Sequence, residues 1–332
     1  MSVAITGWGC EVPPHILDNA QLETMVDTTD EWILTRTGIR ERRILDPALP
    51  VSALAIPAAR QAIARAGIEP ADIDLIIVAT VTPDMIFPAT ACIVQAELGA
   101  DRAAAFDLEA GCTGFIYGLS VAEKFLQAPG FKHALVIGAE VLSRIVDYSD
   151  RSTCVLFGDG AGAVVLSQGD YQYGLLATAL GSDGHGRDLL YAKAGGSLLP
   201  TSHDTVAAGE HYLRMNGNEV FRWASRILPE VAARVLQQAG YDWSDVDLLI
   251  PHQANKRIIT TAAKRMGIPE DKIMINLDRY GNMSSASIPV ALVEALNTGR
   301  ISDGSLVLMV GFGAGLTYGG ALVRWGGGCN EL

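Results

Sequence analysis

Apolar residues fall into short runs separated by stretches of helical spacing, the alternation expected of a sheet with helices packed on its faces. In the first half, the runs at 3–7, 75–80, 104–108, 134–138 and 161–167 predict strands of a mostly parallel α/β sheet. Apolar positions recurring every three or four residues predict helices over 52–66 and 89–98, and another directly after Cys112. Residues 181–210 break the pattern: they are polar, glycine-rich and carry Pro200, which predicts a surface loop or lid. Residues 218–238 resume a helix.

From there the chain repeats itself. Ala66-Gly67 followed by Asp72-Ile-Asp-Leu-Ile-Ile77 is echoed by Ala239-Gly240 followed by Asp245-Val-Asp-Leu-Leu-Ile250, an offset of 173 residues (240 − 67). The same offset carries Leu135-Val-Ile-Gly138 onto Leu308-Met-Val-Gly311. Two blocks in one register predict two related halves joined between 169 and 173, with second-half strands at 248–250, 273–277 and 307–310.

Composition narrows the class. With 332 residues, 49% of them hydrophobic and 19% charged, the chain has enough apolar material for a large core. The opening Val3-Ala-Ile-Thr reads as a strand rather than an export signal, and the longest apolar run, 306–316, is cut by Gly311, Gly313 and Gly315. The five cysteines lack CxxC or Cys/His metal spacing, which predicts reduced thiols in the cytoplasm and no structural metal. A net charge of −12 argues against nucleic acid or anionic membrane as partner. Basic residues nevertheless cluster at 36–43 and at Lys256-Arg257 with Lys264-Arg265; they are solvated helix faces or a dock for an anionic partner.

Cys112, in Glu109-Ala-Gly-Cys-Thr-Gly114, sits where an apolar run stops and a helical pattern starts. A helix N-terminus favours thiolate, whereas a lone buried cysteine commonly only fills space. What favours chemistry is the company it keeps. His252 follows the strand at 248–250, Asn282 follows the one at 273–277 and so mirrors Cys112, and Gly311-Phe-Gly-Ala-Gly315 follows the one at 307–310. All are placed at strand C-terminal ends, where open α/β sheets bind ligands. A cysteine, a histidine, a carboxamide and a glycine loop able to hold an oxyanion fit acyl transfer better than redox or metal chemistry; hydrolysis and transfer stay open at this point.

The segments DTTDEWILTRTGIRERR, FGDGAGAVVL, PHQAN, YGNMSSAS and GFGAGLTYGG, together with the cysteine at its helix start, resemble β-ketoacyl-[acyl carrier protein] synthase III, the initiating condensing enzyme of fatty-acid biosynthesis. The resemblance runs from residue 3 to 325. It implies a thiolase-like five-layer αβαβα fold of two pseudo-duplicated halves, 1–170 carrying the cysteine and 171–332 carrying the histidine and asparagine, usually as a homodimer. It also implies an acyl-Cys112 formed from acyl-CoA, a substrate and not a cofactor, and decarboxylative condensation with malonyl-[acyl carrier protein]. His252 and Asn282 would bind the malonyl thioester, and the N–H groups of Cys112 and Ala314 would form the oxyanion hole. Thr28, Trp32, Arg36, Arg151, Gly217, Ala254 and Asn255 would bind CoA. Lys256, Arg257 and Lys264 would meet the carrier protein. Phe87, Leu142, Phe157 and Met215 would shape the primer pocket, Phe87 from the partner subunit. Elongating relatives resemble this arrangement but carry a second histidine where Asn282 stands.

Three departures stand out: Ala314 replaces a glycine, residues 195–210 look longer than the family pattern, and the tail at 326–332, with a non-catalytic Cys329, is extra. Loading of an unusual starter in specialised, polyketide-type metabolism is the nearest alternative, and a cysteine thioesterase a more remote one.

Overall fold

In the computed structural model, which describes residues 2–326, two mixed sheets face each other across a pair of central helices. The first sheet has the order Ser2–Glu11, Asp159–Gly169, His133–Val141, Leu75–Ala79, Ala104–Leu108. The second has the order Gly174–Ser182, Thr317–Arg324, Leu306–Gly313, Leu248–Pro251. Strand for strand the two orders correspond, and the second sheet's missing fifth place holds Ile273, bridged in parallel to Leu249.

The sheets are less parallel than the sequence predicts. Asp159–Gly169 pairs antiparallel with both its neighbours, as does Thr317–Arg324. The cause is visible in the second half, where only the turn Ala314–Leu316 separates two strands, too little chain for a parallel crossover. The strand expected at 273–277 shrinks to that single bridge because the Gln253 side chain accepts the Asn276 N–H at 3.0 Å and the chain turns into the short helix Leu277–Tyr280. Gly311 and Gly313 belong to a strand rather than a loop, and Gly174–Ser182 and Thr317–Arg324 are strands that their glycines hide.

Period-two alternation explains why the strands read as continuous apolar runs. Leu75 and Ile77 face the central layer with Leu248, Ile250, Val307 and Met309. Ile76 and Val78 face outward onto the helix Ser52–Ala66, and Leu249, Leu308 and Val310 face outward onto the helices Gly217–Ala239 and Lys256–Met266. The two central helices, Gly114–Leu126 and Ser287–Asn297, are buried nearly all round, as elements held between two sheets must be. Pro289 sits in the first turn of the second, where no intrahelical N–H is lost. The result is a five-layer αβαβα arrangement.

The excursion after residue 181 is partly ordered. It contains a hairpin of Leu190–Ala192 with Leu213–Met215 and the helix His203–Ala207, capped by Ser202. No helix among the described residues is long and apolar enough to cross a membrane. Cys329 and the rest of the tail from residue 327 lie outside the described residues.

Candidate active site

Cys112 occupies the turn Gly111–Thr113 that opens the central helix Gly114–Leu126. Gly111 has φ +54°, and a Cβ there would lie 2.9 Å from the Ala314 nitrogen; a Cβ on Gly313 would lie 2.5 Å from the Cys112 nitrogen. Glycine at these positions is what lets the two halves touch. The Thr113 hydroxyl donates to the Ala110 carbonyl at 2.7 Å, and the Thr317 hydroxyl lies 2.8 Å from both, stitching the two turns together.

Helix-end electrostatics do not decide the thiol's ionisation. Cys112 is buried, and burial pushes its thiol up to about 12; the Ser284 hydroxyl and the N–H groups of Cys112 and Ala314 pull it down, while the Glu140 carboxylate pushes it further up. The expectation of a thiolate favoured at rest is therefore corrected: desolvation outweighs the N–H groups at the helix start. Ala314 replaces glycine without strain, since Ser284 is the one non-glycine residue of positive φ among the described residues.

The thiol opens onto a cavity of about 460 Å³. Its wall includes Leu142, Ile145, Phe157, Leu190, Leu213 and Ala314. Of the expected pocket residues, Leu142 and Phe157 are in place. Met215 is half-buried beside the wall, which Leu213 of the same short strand lines instead. Phe87 is 83% exposed and lies outside the cavity.

His252 and Asn282 are buried next to the wall but are not part of it. Asn282 is bridged to Phe157, and its Oδ1 accepts the Ser284 N–H at 2.8 Å, which leaves the amide N–H₂ as the free donor end. The His252 ring packs edge-on to Phe312 at 5.5 Å, and its neighbour Gln253 is fixed by the Pro251 and Met274 carbonyls. Neither ring nitrogen of His252 has a hydrogen-bond partner, and burial drives its pKa down to about 3. It is a neutral imidazole with its polar atoms unspent.

A second cluster lies outside the cavity wall. The Arg151 and Arg36 guanidiniums sit over the Trp32 ring at 5.2 and 5.9 Å, and the Thr28 hydroxyl nearby in sequence is buried without a partner. Asn255 caps the helix Lys256–Met266 through the Arg257 N–H at 2.8 Å and donates to the Arg36 carbonyl at 3.1 Å, tying this cluster to the segment after His252 and Ala254. Gly217 opens its helix in an exposed position. Lys256, Arg257 and Lys264 are exposed on one helix, with Arg257 over the Phe221 ring at 5.7 Å.

Family models for 3-oxoacyl-[acyl-carrier-protein] synthase III match residues 106–184, and for its C-terminal part residues 236–325. The β-ketoacyl-[acyl-carrier-protein] synthase III of Syntrophomonas wolfei is 57% identical over 98% of both chains. The chain belongs to the β-ketoacyl-[acyl carrier protein] synthase III family. It is thus a condensing acyltransferase. The synthase III crystal structure from Aquifex aeolicus is 46% identical with a TM-score of 0.91, covering 97% of this chain and 100% of that one. A priming β-ketosynthase from the R1128 polyketide pathway is also similar, at 37% identity and a TM-score of 0.91, covering 98% and 97%. The buried Glu140 and the cavity-lining Ser284 were not anticipated from the sequence. A charge inside the run Leu-Val-Ile-Gly-Ala-Glu-Val-Leu signals a buried carboxyl, and Ser284 lies in YGNMSSAS beside Asn282.

Proposed function

We propose that the chain performs the initiating condensation of fatty-acid biosynthesis by transferring an acyl group from acyl-CoA to Cys112 and then onto malonyl-[acyl carrier protein]. The observation that carries this reading is the close approach of the Cys112 and Ala314 turns, which sets both residues side by side on the cavity wall. Two backbone donors there would stabilise the oxyanion of a tetrahedral intermediate, each worth about 10²–10³ in rate.

His252 and Asn282 then act as neutral donors to the malonyl thioester oxygen. Charge appears on that oxygen only as CO₂ departs, so their stabilisation is differential. An imidazole held near 3 is a poor base for activating water, which disfavours the thioesterase reading. No cofactor is required for either step.

Trp32, Arg36 and Arg151, with Thr28, would hold the nucleotide end of CoA, and Gly217, Ala254 and Asn255 the pantetheine arm. Lys256, Arg257 and Lys264 would steer the acidic carrier protein, a contact that weakens with salt. A homodimer would cover the exposed Ile86 and Phe87, 84% and 83% accessible here, and bring Phe87 to the partner's primer pocket. The halves 1–170 and 171–332 and a cytoplasmic location complete this reading.

Intact-protein mass spectrometry after mixing with acetyl-CoA tests it. The wild type should gain one acyl group, Cys112→Ala none, and an adduct retained on that variant would end the assignment. His252→Ala should acylate yet fail to condense; equal loss of both steps would contradict the division of labour.

A further inference from the structure

The strand Glu41–Arg43 buries a cation, Arg42, that the steps above do not use. It is wholly buried, and none of the ion pairs among the described residues involves it. A guanidinium taken out of water with no carboxylate bonded to it is costly unless other oxygens replace its hydration. Here three do. Nη1 donates to the Leu17 carbonyl and to Asn19 Oδ1, both at 3.0 Å. Nη2 donates to the same Asn19 oxygen at 3.0 Å and to the Val155 carbonyl at 2.8 Å. Burial lowers the Arg42 pKa from 12.5 to about 10, so the charge is kept at neutral pH.

Each side of this fork leads to a part of the site. On one side, the Asn19 amide donates to the Asp30 carboxylate at 2.7 Å and to the Ile39 carbonyl at 2.9 Å, which brackets the helix Asp30–Thr37 carrying Trp32 and Arg36. That helix lies in the connection between the paired strands Ile16–Asp18 and Glu41–Arg43. On the other side, Val155 opens a segment that runs along Asn282. The Asn282 N–H donates to the Leu156 carbonyl at 2.8 Å and the Gly158 N–H to the Asn282 carbonyl at 3.0 Å, with Phe157 between them on the cavity wall. The Arg42 stem backs this pairing: a Cβ added at Gly158 or Gly281 would lie 3.1 or 3.2 Å from the Arg42 Cβ. The chain just ahead of Arg42 is tied to the same region, through the Arg40 N–H and the Asp278 carbonyl at 2.9 Å. All four bonds of the fork go to Leu17, Asn19 and Val155, and none to the turns of Cys112 and Ala314.

We propose that Arg42 is a positioning residue for condensation: its guanidinium and stem lock 155–158, and with it the Asn282 amide, against the strand pair that carries the Trp32 helix. The inference rests on Asn282 acting as a donor to the malonyl thioester. Because Asn282 Oδ1 is held by the Ser284 N–H, two residues along the same backbone, the free N–H₂ end moves wherever that backbone moves. Loss of the fork leaves the Val155 carbonyl without its buried donor and lets the paired segment shift. A displacement of about 1 Å in a positioned donor costs on the order of 10²-fold. Acylation uses Cys112 and backbone N–H groups that the fork does not touch. Lysine cannot stand in, since one compact ammonium on a flexible stem does not hold three oxygens arranged for a planar fork.

The test compares Arg42→Lys and Arg42→Met with the wild type in two single-turnover measurements: acylation by saturating acetyl-CoA, and consumption of the acyl-enzyme by malonyl-[acyl carrier protein]. Lysine keeps the charge without the fork; methionine keeps an apolar stem against Gly158 and Gly281 without either, and carries the test if a buried ammonium unfolds the chain. Acylation should stay near the wild-type rate while condensation slows by about 100-fold. Equal slowing of both steps, or wild-type condensation in either variant, overturns the proposal. So does failure of both variants to fold, since Arg42 would then support the fold at large. Amide hydrogen exchange separates this from the functional reading. The variants should lose protection at 155–158 and 280–284 while 109–116 keeps it, and unchanged protection at 280–284 overturns the lock. If malonyl-[acyl carrier protein] does not consume the wild-type acyl-enzyme but this loss is seen, the functional reading falls and the lock on Asn282 stands.

Discussion

Two turns meet at the centre of this molecule, and they share one backbone. Gly111–Thr113 leads into Gly114–Leu126, and Ser284–Ala286 leads into Ser287–Asn297, each start displaced by 173 residues (284 − 111 and 287 − 114). Both begin with a left-handed residue, Gly111 at φ +54° and Ser284 at +46°. The true mate of Cys112 is therefore Ser285, not Asn282 as the sequence spacing suggests. Each second residue faces the strand end of the opposite sheet: Cys112 lies against Gly313, while Ser285 is bonded to Ala79 and Glu140, and Gly313 and Glu140 themselves share a register (313 − 140). Both turns present a helix N-terminus, yet only one sets its second residue on the cavity: Cys112 lines it and Ser285 does not. Helix position alone does not make a nucleophile; the residue across the interface does, by leaving space on one side and filling it with a carboxyl on the other.

Gly313→Ala should break this contrast most severely. The added Cβ meets backbone, 2.5 Å from the Cys112 nitrogen and 3.2 Å from its Cα, so the turn itself must move. A displacement of this kind costs on the order of 10²-fold in a positioned reaction. Acylation by acetyl-CoA is expected to fall by about that factor while Glu140, at the matching strand end, tolerates a full side chain. Retention of wild-type acylation would show that the close approach is dispensable.

Much of this was legible in the chain. The 173-residue offset located the duplication, and the strand ends located Cys112, His252 and the glycine run, because a buried strand keeps its period-two pattern wherever it sits. The fifth strand of the second half was over-read: its apolar residues are real, but Gln253 takes the backbone donor that a ladder would use. Thr317–Arg324 was under-read because its two glycines pack against Ile116 and Val235 and so carry no apolar signal of their own. The ionisation of Cys112 was misjudged because burial depends on what covers the turn, which spacing cannot report. Ser284 escaped notice for a related reason: nothing in SSAS says which serine will be forced to positive φ.

His252 offers a second, smaller way to sharpen the comparison, since its register mate in the first half is Ala79 (252 − 173), which does not titrate. Burial lowers the His252 pKa from 6.5 to about 3. The unfolded chain therefore binds a proton before the folded one does, so stability is intact above 6.5 and is lost as pH falls from there toward 3. By pH 4.5 this amounts to about 2–3 kcal/mol. Denaturation of the wild type and His252→Leu at pH 7.5 and 4.5 should show the variant gaining that much relative to the wild type on acidification. An unchanged difference between the two pH values would mean that the imidazole is hydrated and charged in the folded protein.

The smallest effect bears on the shared backbone directly. Gly111→Ala places a side chain at positive φ and 2.9 Å from the Ala314 nitrogen, so it should destabilise by at least about 1–2 kcal/mol. Ser284→Gly at the matching position does the reverse: it relieves a left-handed side chain worth about 1–2 kcal/mol, offset by about 0.5–1 kcal/mol of added freedom in the unfolded chain. A net gain of up to about 1 kcal/mol in denaturant unfolding is expected from this backbone change. Loss of stability in both variants would separate the two turns and show that Ser284 is held by its hydrogen bonds more than it is strained by its dihedral. Opposite signs would establish that a strained serine stands where glycine would be more stable.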